Sequence, residues 1–347
     1  MNDPSLSRTE WWPVATTREL GRTAPLSRTL LGIPMVLFRS ADGTAAALMD
    51  RCPHRSAPLS KGATRNGDIE CPYHGWRFDR AGNCTLMPGG MAPCRQALRV
   101  TAFHVCEQAG LVWASLPGAP PQQPPTSPSE VTHSLDVFFL SDTLRCTLAA
   151  AAENFLDPFH THFVHAGWIR NDAQRQKIRV RVRPLPDGVE ARYSGEKTQT
   201  GWISRLLEKN RGESFGRFRL PGLAEIEYRD QMGRLSLLIS AWLTPAAQGE
   251  TQIFARVATA AGWVPALLKE GILRRVFNVI LKQDKQILEL TDANRKRFGL
   301  PLKDVSEKDA SEQQFHGHLA LLGPSIEKLL SGRTLDDLEE SDTDLFI

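Results

Sequence analysis

Four residues have the types and spacing to hold metal: Cys52, His54, Cys71 and His74. They stand as CPH at 52–54 and CPYH at 71–74, a C-x-H and a C-x2-H separated by sixteen residues. Two thiolates and two imidazoles on paired short loops can bind a soft or borderline metal. Three readings compete. A structural zinc site would place all four on one ion. A [2Fe–2S] cluster would put both cysteines on one iron and both histidines on the other. The third is a coincidence of surface loops. Each loop contributes one Cys and one His, so two loops can present a thiolate pair on one side and an imidazole pair on the other. That detail favours the cluster. Pro53 and Pro72 stiffen the loops, and Gly75 lets backbone pack close.

A second group lies in ENFLDPFHTHFVHAGW at 153–168, where His160, His162 and His165 fall within six residues and acids stand nearby. On a regular helix His162 and His165, three apart, share a face. His160 and His165 could reach one ion only across a bend or bulge. Periodicity therefore prefers His162 with His165, and a polar helix end with hydrogen-bonded histidines stands as the metal-free reading. Cys84, Cys94, Cys106 and Cys146 show no ligand spacing and read as small buried hydrophobes. His104, His133, His316 and His318 read as non-ligands.

These residues need elements to position them. Residues 35–50 read as two apolar strands around Asp42-Gly43, a hairpin signal. Trp76 to Phe78 with the Ala81-Gly82-Asn83 turn, and Leu111 to Leu116, read as further strands. Residues 117–130 carry six prolines, which suits a semi-rigid linker and a domain boundary. Beyond it comes a helical stretch near 149–165. IRVRVRP at 178–184 alternates as a half-buried strand with a solvated arginine face, and Asp187-Gly188 turns it back into VEARY. Residues 235–243 and 252–258 form a second antiparallel pair. A long helix runs from Pro265 to about Phe298 and stops at Gly299 and Pro301. The acidic DDLEESDTD at 336–344 reads as a solvated or frayed end.

The 347 residues suggest two domains, and 41% hydrophobic with 23% charged residues is ordinary globular composition. A formal net charge of +3 gives no global sign of nucleic acid binding. No stretch approaches the roughly 18 apolar residues of a spanning helix. The N-terminus lacks a signal-peptide pattern, so the expected location is cytoplasmic.

CPHRSAPLSKG and CPYHGWRFD resemble the Rieske signature, and the likeness extends through LLGIPMVLFRSADG and GLVWASLPG, over roughly residues 10–118. Asn154, Asp157, His160 and His165, spaced N-x2-D-x2-H-x4-H, resemble the iron motif of Rieske non-haem iron oxygenases. The resemblance implies a [2Fe–2S] cluster on Cys52, His54, Cys71 and His74. It also implies a mononuclear Fe(II) on His160 and His165, one of each centre per chain. Asp157 becomes the bridging acid that orients His160, Asn154 sits close to the iron, and His162 has no role in the pattern. Replacing two thiolates by neutral imidazoles raises the cluster potential. The family also needs a carboxylate from a late helix to complete a facial triad. Asp284 falls on the apolar stripe of Leu273, Phe277, Ile280, Ile287 and Leu288, whereas Glu289 and Asp292 lie off it. A carboxylate facing an apolar core needs a partner or a metal, and QDKQILE at 283–289 resembles the family's third-ligand segment, so Asp284 is the expected ligand.

The implied fold class is α+β. An N-terminal Rieske antiparallel β-sandwich over 1–118 is joined by a Pro-rich linker at 119–130 to a helix-grip catalytic domain over 131–347. The chain resembles the vanillate and dicamba O-demethylase group. That implies a terminal oxygenase that hydroxylates or demethylates a hydrophobic, cyclic small molecule with O2. No GxGxxG fingerprint appears, so NAD(P)H electrons would arrive through a separate reductase or ferredoxin. A head-to-tail homotrimer is implied, with Asp157 of one subunit meeting His74 of the next. The alternatives are a cis-dihydroxylating dioxygenase and a Rieske electron-transfer protein without catalysis. Phe159, Phe163, Trp168 and Trp242 are candidate pocket residues, with core packing as their default.

Overall fold

The structure is a computed structural model that describes residues 10–89, 98–118, 135–171, 175–197, 199–207, 210–260, 266–299, 322–332, 338 and 340–346. The linker segment 119–130, Cys94, His133, His316, His318, Pro265, Pro301 and part of the acidic segment lie outside them. The chain divides into two compact units, Met1–Thr126 with Thr244–Gln248, and Ser127–Leu243 with Gly249–Ile347. The mixed α+β class stands: antiparallel sheets dominate and helices are few.

The first unit holds three small sheets. The first joins β1 (Trp12–Thr16), β10 (Leu111–Ser115) and β9 (His104–Gln108). The second joins β2 (Leu26–Leu30), β3 (Ile33–Arg39) and β4 (Ala45–Met49). The third joins β5 (Ala63–Arg65), β6 (Asp68–Glu70), β7 (Arg77–Phe78) and β8 (Cys84–Leu86). The β3–β4 turn forms where Asp42-Gly43 signals it. The Asp42 carboxylate accepts hydrogen bonds from Ser40 Oγ, Thr44 N and Thr44 Oγ1, and Gly43 takes φ +84°. Val36, Phe38, Leu48, Leu59, Ile69, Phe78 and Val100 build a core that also takes in Cys52 and Cys71.

The second unit is one eight-stranded sheet in the order β11–β17–β16–β15–β14–β13–β12–β18. These are β11 (Leu135–Leu144), β12 (Lys177–Leu185), β13 (Gly188–Ser194), β14 (Arg211–Arg219), β15 (Leu223–Asp230), β16 (Leu235–Pro245), β17 (Thr251–Ala260) and β18 (Ser341–Phe346). In β12 the side chains of Ile178, Val180 and Val182 are buried while Arg179, Arg181 and Arg183 are exposed, as the alternation requires. Gly188 follows the β12–β13 turn because a Cβ there would lie 1.9 Å from the Phe218 carbonyl oxygen.

Helix α1 (Leu148–Leu156) starts on Thr147, whose Oγ1 accepts from Ala150 N at 3.3 Å, and stops at Asp157. The expected helix through 165 therefore ends early. Pro158 biases the preceding residue to extended backbone, and Asp157 has ψ 118°. A short helix α2 (Trp202–Leu207) precedes α3 (Ala266–Phe298). The latter packs on β11 and α1. Lys269 Nζ reaches Asp136 at 2.9 Å, Arg274 Nη1 donates to Phe139 O at 2.6 Å, and Lys285 Nζ reaches Asp142 at 2.7 Å, pinning helix to strand along its length. Of the expected stripe, Leu273, Phe277 and Ile280 are buried, but Ile287 is 39% exposed. Gly299 ends α3 at φ +64°. Among the described residues no helix is long and apolar enough to cross a membrane.

Of the two readings of the acidic segment, the solvated one holds for residues 341–344, which are exposed, and the frayed one is corrected. Instead of fraying, Ser341–Phe346 pairs antiparallel with the arginine-bearing edge strand β12. Lys177 meets Asp344 at 2.8 Å and Arg181 meets Asp342 at 3.3 Å. The backbone of β12 needs edge partners and its arginines need counter-charge, and an acidic strand supplies both.

Buried ion pairs in this unit differ in kind from those on its surface. Glu196 is 4% exposed and bonds Arg170 at 2.8 Å and Arg211 at 2.6 Å. Burial alone would push its carboxyl up, but the two guanidinium groups outweigh burial and hold it below its ordinary value. Its stabilisation is thus fully present above the unfolded-state pKa of about 4.3 and fades as pH falls further. We expect Glu196→Gln to lower unfolding free energy in urea by about 3–5 kcal/mol at pH 7, since it breaks a buried pair. Asp342→Asn, on a half-exposed pair, should change it by less than about 1 kcal/mol. The deficit of Glu196→Gln relative to wild type should narrow as the titration is repeated below about pH 4.

Candidate metal centres

The two Cys–His loops of the first unit are built alike. Cys52 N donates to Ala57 O at 2.9 Å and Ser56 N to Cys52 O at 2.9 Å. Cys71 N donates to Trp76 O at 2.7 Å and Gly75 N to Cys71 O at 3.0 Å. Each loop closes through a left-handed residue, Ser56 at φ +57° and Gly75 at φ +68°. Gly75 thus serves the turn itself, beyond the close packing expected of it. The same closure orients both loops alike: the cysteines are 1% and 3% exposed, while His54 and His74 stand in solvent. The two imidazole rings lie 4.6 Å apart, with Trp76 stacked on His54 at 4.7 Å and Tyr73 stacked on His74 at 3.9 Å.

Burial pushes the Cys52 thiol up, the neighbouring Cys71 adds to this, and the backbone N–H groups of His54 and Arg55 oppose it. Two thiols in hydrogen-bonding reach inside an apolar core are a poor place for bare thiolates and a good one for thiolates neutralised by iron. A thiol pair facing inward and an imidazole pair facing outward fit a diiron cluster. Cys146 is buried and its thiol is pushed up to about 12 by burial, which keeps it neutral. Cys106 is only half-buried, although burial still pushes its thiol up to about 11, and Cys84 is half-buried beside the core. His104 makes a 3.0 Å contact from Nε2 to the Gly118 carbonyl.

In the second unit, His160, His165 and Asp284 are the described residues that cluster as a candidate metal site. His160 Nε2 and His165 Nε2 are 3.2 Å apart, and Asp284 Oδ1 lies 3.3 Å from the first and 3.0 Å from the second. Ligands about 2.1 Å from an ion at right angles would be spaced about 3.0 Å apart, so this triangle has the size of one face of an octahedral site. Burial would raise the Asp284 carboxyl, but His160 and His165 hold it well below the usual range. Burial would likewise lower the His160 imidazole, but the Asp157 and Asp284 carboxylates beside it push it up to about 9. A cation at the centre would take over the role those protons play.

The supporting contacts are particular. Asn154 Nδ2 donates to Asp284 Oδ1 at 3.0 Å. Asp157 fixes the turn through Phe159 N (2.7 Å) and His160 N (3.2 Å), with its Oδ2 3.6 Å from His160 Nδ1. His165 Nδ1 meets Gln283 Oε1 at 2.9 Å, a partner that sequence reasoning missed. The residue before a helical ligand carries no periodic signal of such a role. The preference for His162 with His165 is corrected too. Because α1 stops at Asp157, His160–His162 form a single 3-10 turn. His162 is buried, makes a 3.3 Å contact from Nδ1 to Asn171 O and stays out of the cluster. Glu289 and Asp292 also stay out of it, and Asp292 pairs with Lys296 at 2.6 Å.

The triangle lies in the wall of a cavity of about 1200 Å³, open mouth included, bounded by α1, the sheet and α3. Apolar side chains such as Leu140, Phe155, Phe215, Ile239 and Phe277 make most of the wall. None of the four aromatic candidates from the sequence lines it: Trp242 is buried in the core and Phe163 is 61% exposed. The aromatic residues that do line it lie on strands and helices whose facing only the folded sheet decides.

Residues 10–100 match the Rieske [2Fe-2S] domain, and residues 144–316 match the vanillate O-demethylase oxygenase C-terminal domain. The oxygenase component of dicamba O-demethylase from Stenotrophomonas maltophilia is 36% identical over 170 residues, which are 48% of this chain and 50% of that protein. The 5,5'-dehydrodivanillate O-demethylase oxygenase subunit of a Sphingobium species is 32% identical over 170 residues, 47% of this chain and 40% of that protein. The chain thus spans about half the length of the curated relatives it matches. The crystal structure of dicamba monooxygenase bound to 3,6-dichlorosalicylic acid superposes with a TM-score of 0.72 at 26% identity, covering 93% of this chain and 97% of that one. With both halves of the architecture matched in order, the chain belongs to the Rieske non-haem iron oxygenase family.

Proposed function

We propose that this chain is the terminal oxygenase component of a multicomponent Rieske monooxygenase. It uses O2 and electrons drawn from NAD(P)H by a separate reductase, with or without a ferredoxin, to hydroxylate or oxidatively demethylate a hydrophobic cyclic small molecule. The observation that carries this reading is the triangle of His160 Nε2, His165 Nε2 and Asp284 Oδ1, with edges of 3.0–3.3 Å, in the wall of a mainly apolar cavity. In this reading residues 1–118 form the cluster domain and 131–347 the catalytic domain, joined by the Pro-rich segment 119–130. Thiolate ligands, and cysteines that are free among the described residues, suit the reducing cytoplasm.

Cys52, His54, Cys71 and His74 would hold the [2Fe–2S] cluster, and His160, His165 and Asp284 a ferrous ion. When bound, the cluster supplies one-electron storage and the ferrous ion supplies dioxygen activation. The chain's own residues prepare both sites. Gln283 Oε1 accepts a hydrogen bond from His165 Nδ1–H, which fixes that tautomer and leaves Nε2 free to ligate. Asp157 stands 3.6 Å from Nδ1 of His160 and favours the same tautomer there. Asn154 bonds Asp284 and fixes its oxygen between the two imidazoles. With all three ligand atoms in the cavity wall, an ion held there would draw its remaining ligands from the cavity. The apolar wall strips water from a ring substrate and strengthens polar interactions made inside. A head-to-tail homotrimer, with Asp157 of one subunit facing His74 of the next, gives the exposed imidazoles a destination. Their solvent-facing position supports that arrangement.

Iron analysis with visible and EPR spectra on wild type and Asp284→Ala tests the reading. Wild type should carry three irons per chain. The variant should keep the cluster spectrum, carry two irons and lose the EPR signal that nitric oxide elicits from a mononuclear ferrous site. Three irons in the variant would refute Asp284 as a ligand, and two in wild type would refute the second centre. Gln283→Ala should weaken ferrous binding, read by competition with a chelator, about 10–100-fold, the range for outer partners of ligating histidines.

A further inference from the structure

The residues after His165 close into a tight loop on that ligand's own backbone. His165 O accepts from Trp168 N at 3.0 Å and from Ile169 N at 3.1 Å. Gly167 takes φ +81° and donates from N to Arg170 O at 2.9 Å. The carbonyls of this loop are taken by α2, more than thirty residues further along the chain. Trp202 N donates to Gly167 O at 3.0 Å, Ile203 N to Trp168 O at 2.9 Å, and Ser204 Oγ to Ile169 O at 3.0 Å. Three successive residues of the helix thus meet three successive carbonyls of the loop. The first N–H groups of a helix have no partner within it. Here the loop satisfies two of them, and α2 in return fixes the loop.

Two residues make this grip close and dry. Gly201 precedes the helix, and a Cβ there would lie 2.1 Å from Ile169 O and 2.3 Å from its carbonyl carbon, so no larger residue fits without moving the loop. Ser204 is fully buried, so water cannot replace its bond to Ile169 O. Ile169 and Ile203 both line the cavity, which places the contact beside the metal triangle. Leu206, by contrast, lies on the outer side of the same helix and is 46% exposed. The two histidines are therefore held in parallel ways. Asp157 ties the turn that carries His160, and α2 ties the loop that leaves His165.

We propose that Gly201 and Ser204 are positioning residues for the iron site: through Ile169 O they fix the loop that sets where His165 Nε2 stands against His160 and Asp284. The inference deepens the oxygenase reading and rests on it for a ferrous ion among those three ligands. A ligand set binds its metal well only when it is held within about half an ångström of the required geometry. Gln283 supplies that hold on the His165 ring, and α2 supplies it on the His165 backbone.

Ser204→Ala removes the bond to Ile169 O, and Gly201→Ala pushes the loop away. Both are tested in the full chain carrying its cluster, under anaerobic conditions and without turnover. Ferrous affinity is read by competition with a chelator, and the symmetry of the site by the EPR line shape of its nitric oxide adduct. Ser204→Ala should weaken ferrous binding about tenfold, the low end of the range for outer partners of ligating histidines, and Gly201→Ala by at least as much. Both should alter the nitric oxide line shape. Leu206→Ala should leave the line shape unchanged and the affinity within about twofold of wild type, because that side chain lies away from the loop. If Gly201→Ala yields no folded protein, Ser204→Ala, which adds no atom, decides alone. A merely structural role would lower the melting temperature and leave the affinity and line shape of the folded variants as in wild type; that result would overturn the proposal. So would an equal loss in Leu206→Ala. Failure of the ferrous-site reading is distinguished by the wild-type iron count: two irons per chain would remove this inference with it, whereas three irons with unaltered variants would refute this inference alone.

Discussion

A carboxylate set against an apolar cavity is the constraint on which the second unit depends. An ionised carboxyl moved from water to such a place without compensation is strongly disfavoured. Here Asp284, 16% exposed, is compensated on three sides, by two imidazoles within 3.3 Å and by the Asn154 amide at 3.0 Å. Those partners come from α1 and from the turn after it, while Asp284 comes from α3. The arrangement exists only if both helices are held in register, and the long side chains that pin α3 to β11 keep that register next to the site, Lys285 immediately beside Asp284.

The end of α1 matters as much as its body. A helix continuing past Asp157 would place His160 and His165 on different faces. Pro158 and the extended Asp157 stop it, and Asp157 then uses both carboxylate oxygens to tie the following turn. The histidines five residues apart come together across that turn, and His162 is carried away toward Asn171. One proline therefore selects which two of three neighbouring histidines can share an ion.

The cluster loops solve a different problem. Their cysteines must be sheltered and their histidines reachable. The shared closure, with a left-handed residue four after each cysteine, sends thiols inward to the Val36–Phe78 core and imidazoles outward. Trp76 and Tyr73 stack on the outward rings and limit their rotation. The result is an asymmetric centre whose accessible side is the imidazole side.

Much of this could be read directly from the residues. C-x-H and C-x2-H name a mixed thiolate–imidazole site because ligand type and loop spacing are local properties. Asp42-Gly43 marks its hairpin, alternation marks β12, and apolar periodicity marks the α3 span and the inward side of Asp284. Local patterns could not say that α1 would stop before its histidines. Nor could they say that Ile287 would leave the stripe for solvent, or that the acidic segment would become a strand on β12. They gave no sign of Gln283 as the partner of His165, nor of which aromatic residues line this cavity. The physical reason is common to all of these. Periodicity reports which face of an element is apolar, whereas coordination and edge pairing depend on atoms that meet across elements distant in sequence. Residue chemistry was thus settled by the chain itself, and the meeting of those chemistries by the folded sheet and the two helices packed with it.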